Sequence, residues 1–378
     1  MRIPGAWDSG SNVLSSTLED CELSINWFPE SGQVGTPKAQ KWHRRRPGLS
    51  LVYSIGDDPV ECLFYLDGRA FGVAGTTFFE AFDDDTFIVR GTVANDGIDL
   101  ATMASNGSAG DQILVISGSE GYIFTLSTNA FAIIADPNFP TNPVMVEFFA
   151  GYFIVMLRNS RAIQWSALED GTDWDPLDIF ERSWAPDNIN FIKRNGTHVW
   201  LVGSQTSEVL YLTGDITVFA PAQESLIEHG SIARFAGQLM AQGVTTLDQD
   251  ARGGAQVIIF RGLTPDAIST YSINLEQVTQ AGLLNASYAF VIQMEGHVWY
   301  LLNNRNETNT FRLTPVFDAT EQLWHHWAHW DSTNCVWIPF RGFCHMFAFE
   351  RHFIGDRLTG AVYELSFDNL SDELADVP

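Results

Sequence analysis

Short apolar runs broken at glycine turns dominate the chain, and the break recurs. FYLDGRAFGVAG carries it at Gly68, SAGDQILVISG at Gly110, FFAGYFIVML at Gly151 and IKRNGTHVWLVG at Gly196. RFAGQLMAQG follows at Gly237, VIQMEGHVWYLL at Gly296 and FRGFCHMFAFE at Gly342. Successive glycines lie 41 to 46 residues apart, apart from 59 between Gly237 and Gly296. A period of about 40 to 50 residues with two or more short strands per unit is the signature of a propeller blade. One four-stranded sheet leaves both faces bare, and stacking against its neighbours buries them. Within a unit the residues favour strand: Phe64, Leu66 and Ala70 alternate with polar or small positions, and His198 and Trp200 face away from Val199 and Leu201. Aromatic and β-branched residues are abundant, and no long helical period interrupts them. The expected fold is all-β, a β-propeller of seven blades, or six with extra strands. Residues 1–50 are read as an N-terminal arm with a basic loop and a closing strand within 21–28. Residues 51–378 are read as the propeller.

Size and charge narrow the function. A chain of 378 residues buries roughly three quarters of its unfolded surface and needs no disulfide or metal to hold it. Cys21, Cys62, Cys335 and Cys344 show no CxxC spacing and read as core thiols, with Cys335 and Cys344 placed to meet across one hairpin. The N-terminus lacks a basic start and an apolar run, so no signal peptide is expected. The greasy stretch 144–157 is too short to span a bilayer and contains Glu147. A soluble protein of a reducing cytosol is expected, and the N-x-S/T triplets at Asn106, Asn195, Asn285, Asn306 and Asn369 are then coincidental. With 46 acids against 21 bases and a formal charge of -25, wrapping of nucleic acid by phosphate neutralisation is disfavoured. Acids beside a DNA path would repel phosphates, as a conduit requires.

Several segments carry a resemblance beyond the repeat. INWFPESG (25–32) precedes RRRPGLSL (44–51). IQWSALEDGTDWDPLD (163–178) joins a Ser-Ala-Leu strand end to an acidic turn and a Trp-Asp pair. VWLVGSQTSEVLYLTGD (199–215), IEHG (227–230) and QLWHHWAHWDS (322–332) follow in order. FIGDRLTGAVYELSFDNLSD (353–372) ends the series with Gly-Asp-x-x-x-Gly-x-x-Tyr-x-Leu. In this order the segments resemble the packaged-DNA stabilisation, or tail-hub, proteins of short-tailed bacteriophages. The positions that carry the resemblance are Trp165, Ser166, Asp170, Trp174, Asp175, Glu208, Tyr211, Gly214, Asp215, Gly355, Asp356, Gly360 and Tyr363.

The resemblance implies a non-enzymatic virion protein without cofactor, assembled in the host cytoplasm into the tail. It implies a homo-hexameric ring below the portal and the head-tail adaptor ring. That ring would prolong the DNA channel, help retain the genome with a needle or plug, and support fibres or tailspikes. Double-stranded DNA would pass without specific binding. Members of the family continue well past the last blade motif, whereas this sequence stops at Pro378, so a plug-gripping role carried by that extension is not expected of it.

Other clusters offer sharper chemistry, and each has a plainer reading beside it. Lys38, Lys41, His43, Arg44, Arg45 and Arg46 form a basic stretch that can dock an acidic adaptor face, or stand as a solvated loop. As a phosphate site it lacks aromatic interleaving beyond Trp42. Ser166 to Trp174 echoes the Asp-box hairpins of sialidase-type propellers, from which a glycan-binding or glycan-degrading phage-tail propeller is the alternative function. Glycoside hydrolysis needs two carboxylates flanking one bond, and no pair stands out. Asp170, Asp173 and Asp175 read more simply as turn caps over a packed Trp174. His325, His326 and His329 lack HExxH or Cys/His spacing and read as buried neutral histidines, with His325 and His329 on one strand face. Asp248, Asp250 and Gly253 begin like a calcium loop but lack the closing glutamate. There is no phosphate-cradling loop and no nucleophile elbow.

Overall fold

The computed structural model describes residues 11–13, 21–31, 41–215, 217–249, 254–280, 284–305 and 313–375. The chain is all-β, with seven antiparallel sheets of four or five strands forming the blades of a β-propeller. Blade 1 holds the strands Val60–Leu66, Arg69–Ala74, Thr77–Ala81 and Phe87–Thr92. Blades 2, 3 and 4 start at Thr102–Ser105, Pro143–Phe149 and Ile189–Asn195, and blades 5 and 6 at Gln238–Met240 and Ser287–Met294. Blade 7 takes Gly342–Ala348, Arg351–Asp356 and Ala361–Ser366, and its fourth strand comes from the other end of the sequence, Gly48–Ser54. The closing strand is therefore Gly48–Ser54 rather than residues 21–28. The strand Trp27–Ser31 pairs instead with Lys41–Arg45.

The backbone groups into two compact units. One comprises Met1–Gly48, Ile232–Arg341 and Ser366–Asp372, and the other Leu49–Ser231, Gly342–Leu365 and Glu373–Pro378. In the second unit the first strands of blades 7, 1, 2, 3 and 4 run beside one another in that order. Cores form between successive blades: Val60, Phe79 and Phe353 share one, Phe71, Val115 and Phe124 the next, and Leu114, Phe153 and Trp174 a third. In the first unit Leu247, Ile259, Tyr300 and Trp324 pack together.

Interior strands are apolar on both faces because a blade is covered on both sides, as Val199, Trp200, Leu201 and Val202 illustrate, all four being buried. The two-faced division of Val199 and Leu201 from Trp200 therefore does not separate core from solvent.

Asp67-Gly68, Ala150-Gly151 and Glu295-Gly296 are two-residue hairpin turns with positive φ at both positions, matching the twist of the strands they join. Gly196 opens the equivalent turn of blade 4, and Gly110 ends a single helical turn, Gly107–Gly110, between the first two strands of blade 2. Gly237 and Gly342 differ from expectation. Gly237 precedes the first strand of blade 5 and Gly342 begins that of blade 7. The turns there are Ala241-Gln242 and Phe349-Glu350, which contain no glycine. The long interval before Gly296 contains a helix, Tyr271–Gln280, and a 3-10 turn, Leu284–Ala286.

Two cysteine expectations are also corrected. Cys335 lies in the outer turn of blade 6 and Cys344 in blade 7, so they do not share a hairpin, and Cys335 is exposed rather than buried. Both are free, as is Cys62, whose thiol burial pushes up to about 12.

Candidate functional site

Guanidinium groups that find carbonyls and carboxylates in one place form several directed bonds at once, and the basic strand does this with the chain's own tail. Arg45 donates to the carbonyls of Phe367 (2.6 Å) and Asn369 (2.7 Å). Arg44 lies 3.6 Å from the centre of the Phe367 ring and pairs with Glu295 at 2.6 Å. Arg46 is buried. It donates to Asn26 Oδ1 (2.8 Å) and the Pro47 carbonyl (2.9 Å) and forms an ion pair with Asp372. His329 donates from the same side, Nδ1 to Asp372 at 2.8 Å, while its Nε2 accepts from the Arg341 backbone at 3.1 Å. Burial works against the Asp372 charge, but His329 and Arg46 hold the carboxyl well below the usual range. Gly48 permits the approach, since a Cβ there would lie 2.6 Å from the Asn369 carbonyl. The sequence-predicted docking patch is thus in large part an internal clasp on residues 366–372. Lys41 sits in the paired strand and His43 is exposed, while Lys38 lies outside the described residues.

The motif positions act as structural supports. Asp170 accepts from the Thr172 backbone (2.9 Å) and Gln112 (3.1 Å), and Asp175 accepts from the Leu177 backbone (2.8 Å). Trp174 is buried edge-on to Phe139, with its indole N–H on the Gly171 carbonyl at 2.8 Å. Ser166 is buried and bonds only backbone, and Trp165 packs on Phe219. Asp173 is exposed at the same turn. This serine therefore lacks the base that a nucleophile needs.

In blade 7 each member of Gly-Asp-x-x-x-Gly-x-x-Tyr has a distinct task. Asp356 is fully buried and accepts from the Leu358 backbone (3.0 Å), Thr359 (2.7 Å) and Tyr363 (2.7 Å). Tyr363 OH in turn accepts from the Ala375 backbone at 3.0 Å. A Cβ on Gly355 would meet Cys344 and Val60 at 2.7 Å, and one on Gly360 would strike the Gly56 backbone at 2.6 Å.

Glu208 faces the fully buried Arg182 at 3.4 Å, and burial raises its pKa despite that partner. Arg182 also donates to Thr206 (2.5 Å) and lies 3.7 Å from Asp187. Sequence reading missed Arg182 and Asp187 because no local pattern ties them to Glu208. Tyr211 is exposed, Gly214 has φ +73, and the Asp215 backbone donates to Thr213 at 3.1 Å.

The histidines do not form a metal centre. His325 is fully buried beside Phe28 and Trp327, with neither ring nitrogen partnered, and burial pushes its pKa down to about 3. His326 contacts Glu276 at 2.9 Å and Ser11 at 3.0 Å. His297 meets Asp318 at 2.6 Å. There burial opposes the charge, but the carboxylate prevails and the pKa is raised. Asp248 is buried and meets Gln256 at 3.3 Å, while Asp250 and Gly253 lie outside the described residues. Among the described residues no three His, Cys, Asp or Glu side chains converge as metal ligands. No helix among them is long and apolar enough to cross a membrane.

Charge is distributed unevenly. Among the described side chains, Arg194 and Arg261 are the exposed Lys or Arg residues, whereas Asp57, Asp67, Asp83, Asp175, Glu224 and Glu350 illustrate the exposed acids.

Fold and sites together define a β-propeller whose distinctive residues build blades. A family model described as Bacteriophage P22 Gp10, beta-propeller, matches residues 23–370. The chain belongs to this family of structural phage proteins. No curated protein sequence matches the chain. Similar solved structures share the fold alone. The extracellular domain of a putative one component system, BT4673 of B. thetaiotaomicron, is 11% identical with a TM-score of 0.56, the match covering 84% of this chain and 40% of that one. The chain thus spans well under half the length of that protein. YCF48 bound to D1 peptide is 13% identical with a TM-score of 0.52 and coverages of 85% and 97%. The N-terminal domain of Nup159 is 6% identical with a TM-score of 0.52 and coverages of 91% and 96%.

Proposed function

We propose that this chain is the tail-hub, or nozzle, protein of a short-tailed phage. Six copies form a ring below the portal and adaptor, prolong the DNA channel, help retain the packaged genome and support a needle, fibres or tailspikes. It is assembled in the host cytoplasm and resides in the virion tail. The reading rests on the family match across 23–370. It is carried by one observation: the arginines of the basic strand are engaged on the chain's own tail, leaving an exterior dominated by acids. Such a surface repels phosphates over the screening length of about 8 Å at physiological salt and supplies little counterion release. Double-stranded DNA then passes without being held. Within the described part of the basic stretch, the exposed His43 is what remains for an acidic adaptor face.

Mass photometry and negative-stain imaging, with and without adaptor rings, test the assembly. Sixfold rings that stack on the adaptor are expected. A protein that remains monomeric beside intact adaptor rings refutes the reading.

A further inference from the structure

A second feature, on the rim of blade 1, is not explained by ring assembly. The cavity there has a volume of about 680 Å³ and is lined by Arg69, Glu80, Arg90, Asn129, Phe82 and Phe349, with Asp83 and Asp84 at its lip. Its polar groups are held in place. Arg69 grips Glu80 with two bonds, 2.7 and 2.9 Å, Arg90 reaches the same carboxylate at 2.6 Å, and Arg69 also donates to Asn129 Oδ1 at 2.6 Å. The lip is fixed as well: Asp84 accepts from Thr86 at 2.6 Å, and Arg351 holds Asp85 at 2.5 Å and the Asp83 carbonyl at 3.3 Å.

One wall of the cavity is strained. Phe349 and Glu350 form the blade 7 turn with φ of 50° and 61°, a conformation suited to Asn-Gly. A bulky aromatic in such a turn is strained, and Phe349 is held there by packing against the core of Val60, Phe79 and Phe353 while it also lines the cavity. The Phe349 ring is set edge-on against Tyr65 at 5.7 Å.

The unused bonding capacity specifies the ligand. Arg90 and Asn129 retain N–H donors after their internal bonds, and Asp83 and Asp84 retain acceptor oxygens, all on planar groups beside two aromatic rings. A phosphate or other anion meets three carboxylates and two guanidinium groups already engaged by Glu80. A hydroxyl both donates and accepts, and vicinal hydroxyls match planar amide, carboxylate and guanidinium edges while the sugar's C–H face covers an aromatic ring. We propose that this cavity binds a neutral saccharide, such as a unit of a bacterial surface polysaccharide.

Saturation-transfer NMR on the intact protein, with maltopentaose, mannopentaose and N-acetylchitotetraose as probes, tests the assignment. Transfer to at least one probe is expected. It should fall at least roughly tenfold in Phe349→Asn, whose smaller side chain suits the turn but gives up packing on the core, and circular dichroism at the assay temperature checks that the variant is folded. Asn129→Asp, which tolerates the left-handed turn and keeps the acceptor for Arg69 but loses the amide N–H donors, should weaken the same probe. Three outcomes overturn the proposal: no transfer from any probe, transfer undiminished in both variants, or displacement of the saccharide by polyphosphate or by a lysine-rich peptide. None of these depends on whether rings form.

Discussion

Acidification should destabilise this protein, and the largest single histidine contribution comes from His325. His325 is fully buried between Phe28 and Trp327, and neither ring nitrogen has a partner. Burial therefore penalises the imidazolium, and the pKa falls from 6.5 to about 3. The unfolded chain takes up this proton near pH 6.5 and the folded chain does not, so the unfolded state binds more protons and stability declines as pH falls below 6.5. Each pH unit is worth about 1.4 kcal/mol, so roughly 3 kcal/mol is lost by pH 4 and about 4 kcal/mol by pH 3, where the folded group begins to protonate. That loss is comparable with the whole stability of a typical domain.

His297 cannot produce the same effect. Its raised pKa gives stability that is complete below 6.5 and disappears as pH rises through the raised value. His329 is shifted down by burial and by Arg46, so it adds loss in the same direction in any variant that retains it. The comparison is therefore wild type against His325→Phe, in which an aromatic ring of similar size fills the site without a titrating nitrogen. Urea unfolding followed by tryptophan fluorescence at pH 7 and pH 4 is the assay. The variant should match or exceed wild type at pH 7 and exceed it by roughly 3 kcal/mol at pH 4. Equal losses in the two proteins over this range would refute the assignment.

Three further outcomes follow from the same contacts. Arg46→Met leaves Asp372 without its main cation in a largely buried position and should cost about 3 to 5 kcal/mol, whereas Arg45→Met, which removes two bonds to carbonyls, should cost about 1.5 to 3 kcal/mol; chemical denaturation of both variants ranks them. Tyr363→Phe removes the donor to Asp356 and the acceptor for the Ala375 backbone, at about 1 to 3 kcal/mol, and hydrogen exchange should show faster opening of blade 7. Gly360→Ala drives a Cβ into the Gly56 backbone and should cost about 3 kcal/mol or more, while Gly196→Ala, with open space around it, should cost only the left-handed penalty of about 1 to 2 kcal/mol; comparable thermal shifts for the two would contradict the packing described.

Where turns use glycine, blade positions were legible from sequence, because Asp67-Gly68 and Glu295-Gly296 place the residue that most readily takes positive φ at the hairpin. Blades 5 and 7 were misjudged at their turns because Ala241-Gln242 and Phe349-Glu350 carry no such residue, and Gly237 and Gly342 lie before and at the start of the preceding strands. The motif in blade 7 was visible as letters. Its reasons were not, since the contacts of Gly355 with Val60 and of Gly360 with Gly56 join residues from opposite ends of the chain. The basic stretch shows the same division. Its charge was plain, but its partners lie more than 320 residues away at Phe367, Asn369 and Asp372.

By itself, then, the sequence determined an all-β repeat of blade length, an acidic character and membership in a phage structural family. Those properties reside in local periodicity, composition and residue order. Tertiary structure alone decided which strand completes the last blade, what the arginines hold, which histidine is left unsolvated and where a rigid polar cavity opens. Each of these depends on burial and on distances between residues far apart in the chain, and neither quantity is set until the sheets have stacked.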